Sequence, residues 1–309
     1  MLRNESLEAV VLRPTSAGGE TAAKEDQHLW RGYQAFTYPT VSRDGKTVAL
    51  VENLYGYART LALASPGQKL RRLRGEPKRR LSEPRVSPGG KAIARIDRPC
   101  KECANELAVL SLPDGKERYR LRKGEYARLE TFRWAGDERL LALFSEPLDP
   151  EGDPDDAPPP MTLWSIDVAT GQKASIVEAQ GKTVLTAPVA TPDGAFVAIS
   201  RYHDAMIAVV DVGQGALKQY PVAGKATSLV ISPDGRFVAY ELRPKQKRGK
   251  ELGLLDTKTG KATALTATSY SERFPAFGPQ GKRLYFEMRA DDPVFVGRRE
   301  LIRIASMAV

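Results

Sequence analysis

The amino-acid sequence predicts an all-β chain folded as a six-bladed β-propeller with four antiparallel strands in each blade. The first observation behind this prediction is a tight turn of the kind Ser232-Pro233-Asp234-Gly235, which has six copies spaced 41 to 56 residues apart. The second is the short apolar run that follows the turn, such as Phe237-Val238-Ala239-Tyr240. Four short strands at a period in the forties are typical of a propeller blade.

Other positions keep step with the turn. Its marker residues are Gly45, Gly90, Glu138, Gly194, Gly235 and Gly281. Six residues before the marker, four copies have proline: Pro39, Pro84, Pro188 and Pro275. Four residues after it, five copies have alanine: Ala49, Ala94, Ala142, Ala198 and Ala239. Several independent columns in the same phase indicate a repeated structural unit.

A second glycine inside each of the first five units follows another strand-like run: Gly67, Gly115, Gly171, Gly215 and Gly260. Each unit therefore reads as strand A, turn, strand B, loop, strand C, turn and strand D. A helical solenoid would instead show a period of about 3.6 residues. The predicted blades are 37–74, 82–122, 129–178, 186–222, 227–266 and 273–309 plus 7–12.

The two ends of the chain are expected to meet. The strand-like run 7–12 precedes the first unit, and the run 301–305 is predicted to be strand C of the last one. We expect 7–12 to complete the last blade and close the ring, with 14–36 as a connection. The whole chain, 1–309, is then a single domain.

The repeats resemble the WD40-like repeats of TolB-type propellers. The resemblance rests on the Ser-Pro-Asp-Gly turn, on the apolar-alanine strand after it, and on 167–171 and 256–260, which read Asp-Val-Ala-Thr-Gly and Asp-Thr-Lys-Thr-Gly. It covers Thr37 to the C-terminus, the propeller part only, without the N-terminal TolB domain. Such repeats occur in envelope scaffolds, in oligopeptidase propellers and in some lyases, so the resemblance implies a fold and not one function.

The chain is basic, with 47 Lys and Arg against 38 Asp and Glu, a formal charge of +9. A cluster of bases is formed by Lys69, Arg71, Arg72, Arg74, Lys78, Arg79 and Arg80. We interpret it as a solvated outer strand whose charges discourage edge pairing. Polyanion or nucleic-acid binding is the alternative, but nucleic acid is not expected, because no aromatic residues interleave with the bases.

The compartment is predicted from the absence of targeting segments. No run of eighteen apolar residues is present, so no membrane insertion is expected. The first residues lack the apolar core of a secretory signal. A cytoplasmic location is expected, with the periplasm or cell envelope as the alternative if an export signal has been removed.

The B–C loops are the predicted partner-binding face. Turns after strands A and C are short and repetitive, whereas the B–C loops vary in length and chemistry, and variable loops on a rigid scaffold commonly carry recognition. The third is an acidic, proline-rich insert (146–160) without the ligand pattern of a calcium loop. The candidate binding residues are Tyr55, Tyr57, Tyr202, His203, Asp204, Lys245, Lys247, Arg248 and Phe295.

Cys100 and Cys103 are the only cysteines and form a CxxC pair in the second B–C loop. Such a pair is open to a redox couple, half a zinc site or a local disulfide. A zinc site needs four ligands, and no second CxxC exists. We favour a local disulfide without a catalytic role.

The sequence predicts a non-enzymatic protein–protein interaction scaffold, a monomer with no cofactor, no metal and no catalytic residues, whose partner is another protein. There are only two histidines, and only His203 has a carboxylate beside it, on Asp204. No Gly-x-Ser-x-Gly nucleophile turn occurs. The alternatives are a propeller hydrolase or lyase with a site at the channel mouth, and polyanion binding through the basic cluster.

Overall fold

The computed structural model describes residues 35–54, 58–65, 70–73, 80–100, 103–122, 128–146, 159–179, 183–243, 249–268, 270–290 and 302–309. Within these ranges the regular structure is entirely β, and no helix is long and apolar enough to cross a membrane. The strands form six antiparallel sheets, and each sheet is one predicted blade.

The first three sheets are four-stranded meanders. Blade one contains β1 (Ala35–Val41), β2 (Val48–Leu54), β3 (Ala58–Ala64) and β4 (Arg71–Leu73). Blade two contains β5 (Arg80–Val86), β6 (Ala92–Arg98), β7 (Glu106–Ser111) and β8 (Glu117–Leu121). Blade three contains β9 (Arg128–Trp134), β10 (Arg139–Ser145), β11 (Met161–Asp167) and β12 (Lys173–Ala179).

The remaining sheets follow the same order. Blade four contains β13 (Val189–Ala190), β14 (Phe196–Arg201), β15 (Met206–Asp211) and β16 (Ala216–Pro221). Blade five contains β17 (Ala226–Ile231), β18 (Phe237–Leu242), β19 (Glu251–Asp256) and β20 (Lys261–Ala264). Blade six contains β21 (Tyr270–Phe277), β22 (Arg283–Ala290) and β23 (Ile302–Ala308).

The predicted all-β, six-sheet architecture is confirmed, whereas ring closure is not tested. The sixth sheet has three described strands, and residues 7–12 and 14–36, apart from Ala35 and Phe36 of β1, lie outside the described part of the chain. The described residues divide into two compact units, one with blades one and two and the turn 168–171, the other with blades three to six. The single domain stays a prediction.

The turn between strands A and B explains the repeated sequence motif. In blade five the Ser232 hydroxyl donates to Asp234 Oδ1 (2.5 Å), which also accepts the Arg236 N–H (3.1 Å). Gly235 has a φ of 74° and its N–H donates to the Ser232 carbonyl (2.9 Å). These bonds lower the pKa of Asp234, the serine hydroxyl contributing most. The pattern recurs at Ser42 and Asp44 and at Thr191 and Asp193.

Blade three departs from the predicted turn. The left-handed residue there is Gly136, with a φ of 78°, two positions before the spacing marker Glu138. A residue with a β-carbon is disfavoured at such a φ, so the glycine two positions earlier takes the place. The spacing of the repeats located the turn but not its left-handed residue.

Strands B and C carry the core in the first five sheets, whereas the described side chains of β23, strand C of the sixth, are exposed or half-buried. All five alanines of the repeat column, Ala49, Ala94, Ala142, Ala198 and Ala239, are fully buried. Outer strands such as β16 are mostly exposed. The rigid part of each blade is therefore its middle, and the side chains that remain available lie on strand A, on the outer strand and in the loops.

Candidate functional site

The side chain of Asp204 stabilises the B–C turn of blade four. This turn, 202–205, joins β14 to β15 and contains Ala205 at a φ of 52°. Asp204 forms an ion pair with Arg201 Nε (2.9 Å) and accepts the Thr183 hydroxyl at 2.9 Å on both carboxylate oxygens. The Thr183 hydroxyl and then Arg201 lower the pKa of Asp204. Asp204 thereby holds the turn against the segment that precedes the blade.

This turn presents two aromatic rings, and a cation from the segment between β16 and β17 lies beside them; we call Tyr202, His203 and Lys225 the blade-four group. The Tyr202 and His203 rings meet edge to face with centroids 5.2 Å apart. Lys225 Nζ lies 4.9 Å from the centroid of the Tyr202 ring. His203 and Lys225 are exposed, and Tyr202 is half-buried. Aromatic groups that are held in place and still reach solvent are typical anchors of protein interfaces.

The contacts of Asp204 also show whether His203 and Asp204 could act as an acid–base dyad. In the described part of the chain Asp204 bonds with Thr183 and Arg201, and no hydrogen bond joins it to His203. A carboxylate with a lowered pKa is a weak general base. The geometry fits a positioning role for Asp204 better than proton transfer.

Most of the other predicted binding residues cannot be placed. Tyr55, Tyr57, Lys245, Lys247, Arg248 and Phe295 lie outside the described residues. Their role as binding residues stays a prediction.

Within the basic cluster, Arg72 forms an ion pair with a glutamate of its own sheet. Its Nε and Nη2 donate to the two carboxylate oxygens of the fully buried Glu52, at 2.6 and 2.8 Å. This bidentate pair raises the pKa of Arg72. Arg71 is exposed and Arg80 begins β5, whereas Lys69, Arg74, Lys78 and Arg79 lie outside the described residues. The charge of Arg72 is thus compensated by Glu52.

The structure joins Cys100 and Cys103 by a disulfide in the hairpin between β6 and β7. An ion network lies at the ends of the strands that this hairpin joins. In it, Arg120 Nη1 contacts Asp97 Oδ2 (3.2 Å) and Glu106 Oε2 (2.9 Å). Asp97 is fully buried and also pairs with Arg95 Nε (2.8 Å). The network ties strands B, C and D together at the end of the blade that carries the disulfide.

A second exposed aromatic group, which the sequence did not reveal, lies on strand A of blade six. The pairing of β21 with β22 shifts between Arg273 and Ala276, and Phe274 in the gap has a φ of 52°. A bulky residue in this conformation costs about 1–3 kcal/mol. Phe274 is nevertheless 55% exposed. The following Pro275 is buried, so the repeated proline marks the residue after this irregularity.

Glu241 holds the backbone of Phe274 in place. Its Oε1 accepts the Phe274 N–H (2.8 Å), and its Oε2 pairs with the Lys250 ammonium and lies 3.5 Å from the Thr227 hydroxyl. The Glu241 side chain is fully buried. A carboxylate of one blade therefore fixes strand A of the next.

Arg273 lies against the exposed ring. Its Cζ is 4.9 Å from the centroid of the Phe274 ring. Its Nε is buried, and no acceptor for it is present among the described residues.

Among the described residues, no three His, Cys, Asp or Glu side chains are grouped so that they could hold a metal ion.

Comparisons with known proteins found similarity in structure only. No protein-family model and no curated protein matches the chain. A solved oligogalacturonate lyase from Vibrio parahaemolyticus is similar with a TM-score of 0.63 and 16% identity, over 88% of this chain and 77% of that one. The β-propeller domain of the Trilobed protease from Pyrococcus furiosus gives 0.61 and 14%, over 89% and 82%. TolB from Acinetobacter baumannii gives 0.51 and 19%, over 86% and 62%.

The chain has the fold of a TolB-type, six-bladed β-propeller. The resemblance of the repeats is thus confirmed at the level of the fold, by solved structures that span most of the chain. The solved structures with this fold include a lyase, a protease domain and TolB. Function has to be argued from the side chains that this propeller presents.

Proposed function

We propose that this propeller is a non-enzymatic protein-interaction scaffold whose partner-binding surface includes the blade-four group. The observation that carries the proposal is the use of Asp204 to fix an exposed turn. Its carboxylate bonds Thr183 and Arg201. The ring of Tyr202 contacts both the His203 ring and the Lys225 ammonium. An anchor that is ordered before binding loses little conformational entropy when the partner arrives.

The remaining loop residues extend the proposed surface. Tyr55, Tyr57 and Phe295 are candidate anchors, and Lys245, Lys247 and Arg248 are candidate steering charges, all on the basis of sequence. Rim charges change the association rate more than the affinity. The partner is proposed to be another protein bound by a monomeric propeller. The compartment of the propeller is proposed to be the cytoplasm, with the periplasm or cell envelope as the alternative.

The variants Tyr202→Ala and Lys225→Glu test the blade-four group. Each is expected to weaken capture of the partner at least about ten-fold, because removing a central aromatic anchor typically costs 2 kcal/mol or more. Melting temperature should be unchanged in Lys225→Glu, whose side chain is exposed, and should fall only slightly in Tyr202→Ala, whose side chain is half-buried. Affinity is measured by biolayer interferometry against the partner recovered with the unmodified chain.

The matched control is Lys258→Glu, an exposed charge reversal in the strand C to strand D turn of blade five. Strand direction puts that turn at the other end of the blade from the B–C loops, so capture should be unaffected. If the control weakens capture as much as Lys225→Glu does, binding depends on net charge. The proposed surface is then wrong.

A lyase that acts on acidic sugars is the second candidate function. The observation in its favour is coverage, because the similarity to the oligogalacturonate lyase spans 77% of that protein, whereas the match to a prolyl endopeptidase spans 40%. A lyase forms a carbon–carbon double bond next to the uronate carboxylate, which ultraviolet absorbance detects. Turnover of oligogalacturonate by the purified chain would replace the scaffold proposal with this one.

A further inference from the structure

We infer that Arg273 and Phe274 form a recognition site for an acidic peptide segment, in which a carboxylate binds the guanidinium and a neighbouring apolar side chain covers the ring. The inference rests on the proposed function, because it names the chemistry of a second contact with a protein partner. It concerns strand A of blade six and not the blade-four group.

The fold alone does not explain these two side chains. Blades two and five have the same shift of register in strand A and the same left-handed residue, at Glu83 and Ser228 with φ of 49° each, against 52° for Phe274. A glutamate and a serine therefore satisfy the backbone as well as an aromatic residue does. The residue before Ser228 is Thr227, which contacts Glu241, whereas Arg273 lies on the neighbouring ring. Blade six alone among these three combines a base with an aromatic ring.

The backbone of Phe274 is held in place while its ring is uncovered. Glu241 accepts the Phe274 N–H at 2.8 Å, so the backbone cannot shift without breaking a buried bond. Its side chain remains 55% exposed, and the next outward residue, Ala276, is exposed as well and small enough to leave the ring accessible. An exposed aromatic ring on a held backbone gains from contact with an apolar group and loses little entropy, because its side chain has only two rotatable bonds.

Arg273 supplies the charge that selects the ligand. The Arg273 side chain is partly exposed, while its Nε is buried without an acceptor among the described residues. Glu287 lies opposite Arg273 in the ladder, but its Oε1 accepts Arg289 Nε at 2.6 Å. A carboxylate is the acceptor that a guanidinium binds best. The complementary ligand carries an Asp or Glu with an apolar residue beside it.

Two fluorescein-labelled hexapeptides test the inference with the full chain. One has a central glutamate flanked by leucines, and the other has glutamine in its place. Fluorescence anisotropy at low salt should show the glutamate peptide binding at least about ten-fold more tightly, since a charge-assisted bond is replaced by a neutral one. Arg273→Gln and Phe274→Ala should each remove at least about ten-fold of that affinity. Ser228→Ala, at the equivalent position of blade five, should leave it unchanged.

Phe274→Gly guards against loss of folding, because glycine suits the left-handed backbone. It should melt no lower than the parent and still lose peptide binding. Equal binding of the two peptides, or unchanged binding by Arg273→Gln, would overturn the inference. So would an oligogalacturonate that binds through Arg273 when neither peptide does. If Tyr202→Ala leaves partner capture intact while the glutamate peptide still binds at Arg273, the blade-four surface fails and this site stands.

Discussion

Replacing Glu241 by alanine is expected to lower the free energy of unfolding by about 3–5 kcal/mol, the cost of breaking a buried ion pair from one side. The carboxylate is fully buried and serves Lys250, Thr227 and the amide of Phe274. Lys250 keeps some access to water, so the loss should fall toward the lower end of that range. Urea unfolding followed by tryptophan fluorescence measures it.

Two further variants distinguish the stability lost with the buried ion pair from the stability lost on removing any glutamate. Glu241→Gln keeps an acceptor for the Phe274 amide and should lose less than alanine does. Glu178→Ala removes an exposed glutamate of β12 that accepts the Ser175 hydroxyl (3.0 Å), and its effect should stay within about 0.5 kcal/mol. Equal stabilities for Glu241→Ala and Glu178→Ala would show that the buried contacts do not hold blade six.

Replacing Gly194 by alanine is the second change with a large expected effect. Gly194 has a φ of +75°, and a β-carbon there would lie 2.6 Å from the carbonyl oxygen of Ala135 in the neighbouring turn. The left-handed conformation costs alanine about 1–2 kcal/mol. Displacing a neighbouring backbone adds about 1–3 kcal/mol. The sum of about 2–5 kcal/mol should appear as a lower melting temperature in calorimetry.

Gly215→Ala separates the cost of the left-handed conformation from the cost of displacing a neighbouring backbone. Gly215 belongs to the same compact unit and has a φ of +64°, but nothing lies within 4 Å of the position of its β-carbon. It should lose only the conformational part, about 1–2 kcal/mol. If the two variants are equally stable, the contact between the turns of blades three and four contributes nothing.

The blades were predictable because their turns are local. Ser232, Asp234 and Gly235 bond one another within four residues, so their chemistry is visible in the sequence. In blade three the spacing marks Glu138, whereas Gly136 takes the left-handed φ. Spacing alone does not say which residue takes the left-handed φ.

The candidate site was only partly predictable because its contacts join distant parts of the chain. Tyr202 and His203 were visible as loop aromatics, but the Thr183 hydroxyl and Lys225 approach them from separate segments. No sequence pattern pairs those residues. For Phe274 the only signal was the proline that follows it, which marks the irregular backbone but not the exposure of the ring.

Site-specific photo-cross-linking tests the central claim most directly. A photoreactive phenylalanine analogue at position 202 is compared with the same group at position 258, an exposed site at the other end of the blades. The scaffold account predicts one protein cross-linked in cells from 202, not from 258, and lost when Lys225→Glu is added. The same cross-linked proteins from both positions, or a yield from 202 that Lys225→Glu leaves unchanged, would contradict it.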